Sequence, residues 1–191
     1  KGKSRFAGKI GEQLASPIVN IEDNGILEDG IASFPFDGEG VPSQRTPLIQ
    51  DGFLHAFLYD CYAGRKAGKK STGNGQRGSF RTLPAVGTTN LILQPGPLSP
   101  AELMKDLVSG LLITDVMGMH TANPISGDFS LGAAGILIEN GRLARAVRGI
   151  TIAGNLHQLL YDIEAVGSDL RFYGAKAAPS IRLQSISVAG Q

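Results

Sequence analysis

Residues 134–147 read Ala134-Gly135-Ile136-Leu137-Ile138-Glu139-Asn140-Gly141-Arg142-Leu143-Ala144-Arg145-Ala146-Val147. Two mainly apolar stretches, Ala134–Glu139 and Arg142–Val147, flank an Asn-Gly pair. Asn-Gly readily supplies the two left-handed residues of a type I′ turn, so this pattern is typical of a β-hairpin. The stretch therefore predicts two neighbouring antiparallel strands joined by a two-residue turn.

Short strand patterns recur on both sides of this hairpin. Gln50-Asp51-Gly52 separates Leu48-Ile49 from Phe53-Leu54, which predicts a second hairpin. Further strands are predicted at Pro17–Ile21, Thr89–Leu93, Leu111–Val116, Leu170–Tyr173 and Ser180–Val188.

The helix signals are fewer. Ser99 as N-cap, Pro100 at the first position and Glu102 as the capping-box partner predict a helix that continues to Gly110. A second helix is predicted after Asn155, with an apolar stripe from Leu156 to Ile163, and a short one near Tyr59. Mostly antiparallel strands with two or three short helices predict an α+β fold.

The composition excludes several classes of protein. Lys and Arg number 18 and Asp and Glu 17 in 191 residues, so no global field attracts nucleic acid or an anionic membrane. Cys61 is the single cysteine, which excludes an intrachain disulfide framework and a zinc site built from several cysteines. No apolar run approaches the roughly 18 residues of a membrane span.

One segment is basic although the whole chain is nearly neutral. Between Cys61 and Ala101 there is no acidic residue, and six cations form a candidate basic patch: Arg65, Lys66, Lys69, Lys70, Arg77 and Arg81. The patch could hold phosphates, a peptide carboxylate or an acidic partner, or it could be a solvated face; nucleic acid is the less favoured ligand. Gly73–Gly78 matches G-x-G-x-x-G, but no helix pattern follows, so we interpret it as a surface loop.

The histidines and the cysteine suggest little chemistry. Asp115, His120 and Asp128 are one hypothesis for a site, although the sequence does not bring them together. Cys61 is interpreted as a buried small residue, and His157 as exposed. These residues alone do not supply a nucleophile, a base and an oxyanion hole, which favours a binding or scaffolding domain over a self-sufficient enzyme.

Four blocks in a fixed order point to a family. They are Phe36-Asp37-Gly38-Glu39-Gly40-Val41, the stretch from Ala63 to Asn74, the stretch from Ser126 to Gly135, and Ile150-Thr151-Ile152-Ala153-Gly154-Asn155. The chain resembles the C-terminal part of the TldD/PmbA family, often named modulators of DNA gyrase, from about Phe6 to Gly190.

The resemblance implies a cytoplasmic metalloprotease system that cuts unfolded or extended peptides. In this family a TldD-type subunit carries a helical H-E-x-x-x-H zinc motif and pairs with a PmbA (TldE)-type subunit that lacks it. Such a motif places two histidines on one zinc ion and a Glu beside its water. Here the motif would precede Lys1, and residues 170–179 lack the cysteine that catalytic subunits use as a further ligand.

We therefore expect residues 1–191 to be a single C-terminal domain of a PmbA/TldE-type subunit, without catalytic or metal-binding residues. We expect it to be a fragment, with residues 1–12 as a lead-in from an N-terminal domain. Zinc would then belong to a TldD-type partner or to an upstream segment. The partner would be a TldD-type subunit in a heterodimer or a second copy in a homodimer, with no membrane involved.

The resemblance also implies that the domain helps to enclose an extended peptide, which we expect to add to a sheet edge. The expected peptide groove comprises Ser71, Thr72, Gly73, Asn74, Gly118 and His120. An equally favoured interpretation is that both loops serve only the fold. Two alternatives stay open for the function: an active homodimeric metallopeptidase with its zinc motif upstream, and a regulator that associates with DNA gyrase or binds nucleic acid.

Overall fold

The computed structural model describes residues 5–190; residues 1–4, where the expected lead-in begins, and residue 191 lie outside the described residues. The helices are α1 (Cys61–Ala67), α2 (Pro100–Met104) and α3 (Leu156–Tyr161), with a 3-10 turn at Met119–Thr121. The strands are β1 (Ile21–Asn24), β2 (Arg45–Gln50), β3 (Phe53–Leu54), β4 (Gly75–Gln76), β5 (Ala85–Val86), β6 (Leu91–Leu93), β7 (Ser109–Met117), β8 (Asp128–Glu139), β9 (Arg142–Asn155), β10 (Ile163–Val166), β11 (Arg171–Tyr173), β12 (Lys176–Ala178), β13 (Ile181–Leu183) and β14 (Ser187–Ala189).

Two larger sheets organise these strands. One has six strands in the order β11-β12-β6-β1-β2-β3, and the other has four in the order β14-β9-β8-β7. Neighbouring strands are antiparallel except for β12 and β6, which run parallel. Two further pairs, β4 with β5 and β10 with β13, are antiparallel. The α+β class with mainly antiparallel sheets is confirmed.

Both predicted hairpins are present. Glu139 pairs with Arg142 across the Asn140-Gly141 turn, whose residues have φ angles of 50° and 74°. The hairpin is longer than predicted, because β8 begins at Asp128 and β9 continues to Asn155. The other turn, Asp51-Gly52, joins β2 to β3 in the same left-handed conformation.

The helix predicted to continue to Gly110 is much shorter. The Ser99 capping box is present, but α2 ends at Met104, and Gly110 lies within β7. The hairpin tip explains the difference, since the carbonyl of Leu107 accepts from Gly141 N–H at 2.8 Å. The Val108 carbonyl likewise accepts from Asn140 N–H at 2.9 Å. These tertiary hydrogen bonds hold the chain in an extended form where local periodicity favoured a helix.

Other boundaries differ from the sequence prediction in the same way. The strand predicted at Pro17–Ile21 begins only at Ile21. The helix after Asn155 ends at Tyr161, so Ile163 is a strand residue that pairs with Leu183. The two predicted closing strands are four short ones, β11 to β14.

Two apolar clusters support the sheets. The first packs against the six-stranded sheet, and its buried members are Leu14, Ala15, Val19, Ile49, Leu54, Ile163 and Val166. The second lies on one face of the four-stranded sheet and is built on Leu131, Ala133, Ile150 and Ile152. The opposite face of that sheet carries the charged side chains of Asp115 and Arg148.

Candidate functional site

The first sequence block forms a turn that ties two other segments together. Asp37 Oδ1 accepts from the N–H groups of Glu39 and Val41, both at 2.9 Å, while its Oδ2 accepts from Gly75 N–H at 2.8 Å. Glu39 Oε2 accepts from Cys61 N–H at 2.7 Å, at the start of α1. The two carboxylates therefore join β4 to the first turn of α1.

Asn74 occupies the centre of a buried polar network. Its Nδ2 donates to Asp23 Oδ2 at 2.7 Å and to the Gly87 carbonyl at 3.0 Å, and its Oδ1 accepts from Thr72 Oγ1 at 2.6 Å. Asp23 also accepts from the N–H and the hydroxyl of Thr89, both at 2.7 Å. Every side-chain hydrogen-bonding atom of Asn74 that faces this network is satisfied, as burial requires.

The rest of this expected groove segment is only partly accessible. Gly73 is buried with φ of 70°, and a Cβ there would lie 2.5 Å from the Pro42 carbonyl oxygen. The half-buried Ser71 hydroxyl donates to the Tyr59 carbonyl at 3.1 Å, and the half-buried Thr72 Oγ1, whose proton goes to Asn74, accepts from Tyr59 N–H at 2.7 Å. A peptide at this segment would therefore meet Ser71 and Thr72 rather than the side chain of Asn74.

The second expected groove segment follows the edge strand β7 directly. Gly118 has φ of 81° and begins the 3-10 turn, which Thr121 Oγ1 closes by donating to the Gly118 carbonyl at 2.8 Å. His120 is exposed within this turn. The two expected groove segments lie beside different sheets, and no hydrogen bond between described residues joins one to the other.

The hypothetical Asp115, His120 and Asp128 site is not assembled. Asp115 on β7 lies opposite Ala134 on β8. Ala134 is about 20 Å from Asp128 along β8, at roughly 3.4 Å per residue. Asp128 instead accepts from Asn155 Nδ2 at 2.7 Å. This hydrogen bond, with a further one from Ser126, lowers the pKa of the Asp128 carboxyl.

Two interpretations of single residues are wrong. Cys61 is exposed rather than buried, and the partial desolvation of its thiol and the neighbouring Glu39 carboxylate raise its pKa. The prediction failed because α1 is a surface helix whose Cys61 and Tyr62 face solvent. His157 is half-buried instead of exposed, because its ring packs edge-on against Phe6 with centroids 5.0 Å apart.

The expected basic patch divides into two parts. Arg65, Lys66, Lys69 and Lys70 are exposed on α1 or just after it. Arg77 instead ties a loop together, since its Nε donates to the Gly38 carbonyl at 2.9 Å and its Nη1 to the Thr82 carbonyl at 2.8 Å. The Arg81 guanidinium lies 5.1 Å from the centroid of the Phe80 ring.

Sequence reasoning missed Asp23 and the bridging role of Asn155. Asp23 is a buried acid in β1, whose sequence is Ile-Glu-Asp-Asn, and a buried charge requires partners elsewhere in the chain. The Asn155 Nδ2 joins the third and fourth blocks, since it also donates to the Ser126 carbonyl at 2.8 Å. Asn155 ends the fourth block, which was the available signal for it, whereas Asp23 lies in none of the four blocks.

Residues 5–190 hold no group of three or more His, Cys, Asp or Glu side chains placed to bind a metal ion. Within the same residues, each helix is too short or too polar to cross a bilayer.

Comparison with known proteins identifies the family. Residues 1–190 match the family model described as the PmbA/TldA metallopeptidase C-terminal domain. The chain belongs to this family. It is 37% identical over 190 residues to "Metalloprotease PmbA" of Escherichia coli O157:H7, covering 99% of this chain and 40% of the relative. It is also 35% identical to "Metalloprotease TldD homolog" of Haemophilus influenzae, over 87% of this chain and 34% of the relative.

Solved structures of PmbA/TldD proteins agree with this fold. A "putative modulator of a DNA gyrase" from Thermotoga maritima superposes with a TM-score of 0.91 at 42% identity, over 97% of this chain and 42% of that one. TldE from Thermococcus kodakarensis superposes with a TM-score of 0.90 at 28% identity, over 98% and 43%. The chain thus spans about two fifths of the length of the curated relatives it matches.

Proposed function

We propose that this domain belongs to a PmbA/TldE-type subunit and helps to hold extended peptides for a cytoplasmic zinc metallopeptidase. The catalytic zinc belongs to a TldD-type partner subunit, and this domain contributes binding surface rather than metal ligands. The names of relatives such as "Metalloprotease PmbA" and the likeness to TldE support the proposal.

The observation that carries the proposal is the outer edge of β7. This nine-residue strand pairs with β8 on one side, and within residues 5–190 its other side has no partner strand. An unpaired edge presents a row of backbone donors and acceptors to which an extended peptide can add. Backbone hydrogen bonds bind a peptide with little regard to its sequence, which suits a protease for unfolded chains.

In this proposal the peptide contacts the expected groove residues in two places. A peptide that follows β7 reaches Gly118 and His120 where the strand ends, and His120 is exposed to meet it. Ser71 and Thr72 form the second contact, and the buried Gly73 and Asn74 hold that loop in place.

A peptide series with single backbone N-methyl groups tests strand addition. Alternate residues of an added strand donate hydrogen bonds to the edge, so N-methylation at every second position should slow cleavage by the assembled protease. The positions between them should tolerate the methyl group and serve as the matched control. Equal effects at all positions would contradict binding at a strand edge.

The subunit assignment is tested by zinc content and casein cleavage of the complete protein, alone and mixed with its TldD-type partner. The proposal expects no zinc in this subunit and cleavage only in the mixture. Zinc and cleavage in the protein alone would instead establish the alternative, an active homodimeric metallopeptidase with its motif outside residues 1–191.

A second candidate function is association with DNA gyrase or nucleic acid. It is favoured by the exposed cations Arg65, Lys66, Lys69 and Lys70 and by the name of the Thermotoga maritima relative. Binding through phosphates would weaken steeply as salt increases. DNA titrations across salt concentrations test this candidate, and a flat response removes it.

A further inference from the structure

A cleft of about 430 Å³ lies on the face of the four-stranded sheet opposite its apolar cluster. Three strands line it: β7 contributes Asp115 and Met117, β8 contributes Ala134, and β9 contributes Arg148. The cleft lies beside the free edge of β7, and none of the expected groove residues lines it.

The strand register explains why the cleft exists. Asp115 lies opposite Ala134, whereas the flanking residues of β8 pair with Ile150 and Val147. Arg148 and Gly149 thus both lie opposite Ala134, so β9 has one extra residue here, and Gly149 adopts φ of 67° in the bulge. Asp115, Ala134 and Arg148 consequently form one row across three strands, and the central methyl group leaves space above it.

The two ends of this row carry opposite charges that do not neutralise each other. Two strand spacings separate their backbones by about 10 Å. Neither Asp115 nor Arg148 forms an ion pair or a side-chain hydrogen bond with another residue in the described part of the chain. By contrast, Arg45 pairs with Glu22 at 2.6 Å, and Arg182 pairs with both Asp106 and Glu164.

We propose that this cleft binds a short peptide with free termini, its α-ammonium at Asp115 and its α-carboxylate at Arg148. A guanidinium binds a carboxylate through two parallel hydrogen bonds, and a carboxylate binds an ammonium by charge-assisted hydrogen bonds. Two or three extended residues span about 7 to 10 Å, which is comparable with the separation between the backbones of Asp115 and Arg148. Met117 and Ile136 supply apolar walls for the peptide's side chains.

The choice of a peptide as ligand rests on the proposed function, because a peptidase releases short peptides with free termini. The cleft is therefore a site for cleavage products, or for the end of a chain that is being shortened. It differs from strand addition, which binds the backbone and ignores charge.

Ligand-observed NMR titration of the complete protein with trialanine tests the proposal. N-acetyl-trialanine lacks the ammonium and trialanine amide lacks the carboxylate, and we expect each to bind about tenfold more weakly than trialanine. The Arg148→Gln variant should bind trialanine amide and trialanine equally, and it should still bind trialanine more tightly than N-acetyl-trialanine. Asp115→Asn should show the converse pattern.

Arg145→Gln is the matched control, because Arg145 is exposed on the same strand but does not line the cleft. It should leave both preferences unchanged, and thermal unfolding should show that all three variants are folded. The proposal would be overturned if trialanine did not bind, if the capped forms bound as tightly as trialanine, or if Arg145→Gln lost the preferences as Arg148→Gln and Asp115→Asn do. If trialanine binding fails while the casein assay succeeds, only this inference is lost; the reverse result removes the proposed function.

Discussion

The side-chain amide of Asn74 donates to Asp23 Oδ2 at 2.7 Å, and each of the two residues is only 1% exposed. The contact joins strand β1 to a loop 51 residues further along the chain. A buried carboxylate without donors is strongly destabilising, so the Thr-Gly-Asn sequence of this loop is explained by what Asp23 requires.

Replacing Asn74 by Ala should therefore act on stability. The variant leaves Asp23 without one donor, and we expect a loss of about 2 kcal/mol in the free energy of unfolding. Urea unfolding measures it, with Ser71→Ala as a neighbouring control that should lose less than about 1 kcal/mol. An unchanged midpoint for Asn74→Ala together with lost casein cleavage would contradict this role and favour direct peptide contact.

Gly135→Ala should displace the edge strand. A Cβ at Gly135 would lie 2.2 Å from the Leu112 carbonyl oxygen, whereas at Gly132 on the same strand it would lie 3.7 Å from Met117 side-chain atoms. We expect Gly135→Ala to cost about 1–3 kcal/mol and to slow peptide cleavage at temperatures where the protein stays folded. Gly132→Ala is the control and should change neither. Equal thermal midpoints for the two variants would show that β7 is not held as described.

Asn155→Ala should make the free energy of unfolding less dependent on pH in the acidic range. Asn155 Oδ1 caps α3 by accepting from His157 N–H at 3.0 Å, and loss of such a cap costs about 1 kcal/mol. Its Nδ2 is the main cause of the lowered pKa of Asp128. A carboxyl with a lowered pKa stabilises the fold above its unfolded pKa, about 3.9, and this contribution disappears as pH falls through the folded value.

The destabilisation caused by Asn155→Ala should accordingly be larger at pH 7 than at pH 3, as measured by urea unfolding at both. Gln158→Ala is the control in the same helix, where the Gln158 Nε2 donates to Asp162 at 2.8 Å on the surface. It should have little effect at either pH. A destabilisation by Asn155→Ala that grows on acidification would refute the assignment.

Replacing all four of these cations by Gln in one variant should leave peptide cleavage unchanged; the residues are Arg65, Lys66, Lys69 and Lys70. These side chains are exposed, and surface charges away from specific contacts contribute within about 0.5 kcal/mol each. Cleavage by the assembled protease and DNA binding across salt are measured in parallel. A large loss of salt-dependent DNA binding in this variant would support the nucleic-acid candidate instead.

Local signals predicted the turns well and the element lengths poorly. Asn140-Gly141 and Asp51-Gly52 determine their own backbone conformation, so both hairpins could be placed from the sequence. The Ser99 capping box likewise marked where α2 begins. Its end depends on hydrogen bonds from a hairpin tip more than thirty residues away, which helical periodicity does not report.

The candidate sites show the same division. The glycine-rich loop after Thr72 could be recognised as a loop, but the burial of Asn74 follows from a partner in β1. The Asp115–Arg148 row was not predicted, because it depends on a bulge that shifts the register of β9 by one residue. Pairing between strands, rather than residue type, decides which charges share a face.

The parallel pairing of β12 with β6, with Lys176 opposite Leu91 and Ala177 opposite Ile92, has a consequence for synthesis on the ribosome. The β8–β9 hairpin consists of nearby residues and can form as soon as it leaves the exit tunnel. The six-stranded sheet must keep the edge of β6 open until some eighty-five further residues have been made. During translation that edge is an unpaired strand exposed to other chains, and unpaired edges of this kind make a folding intermediate prone to aggregation.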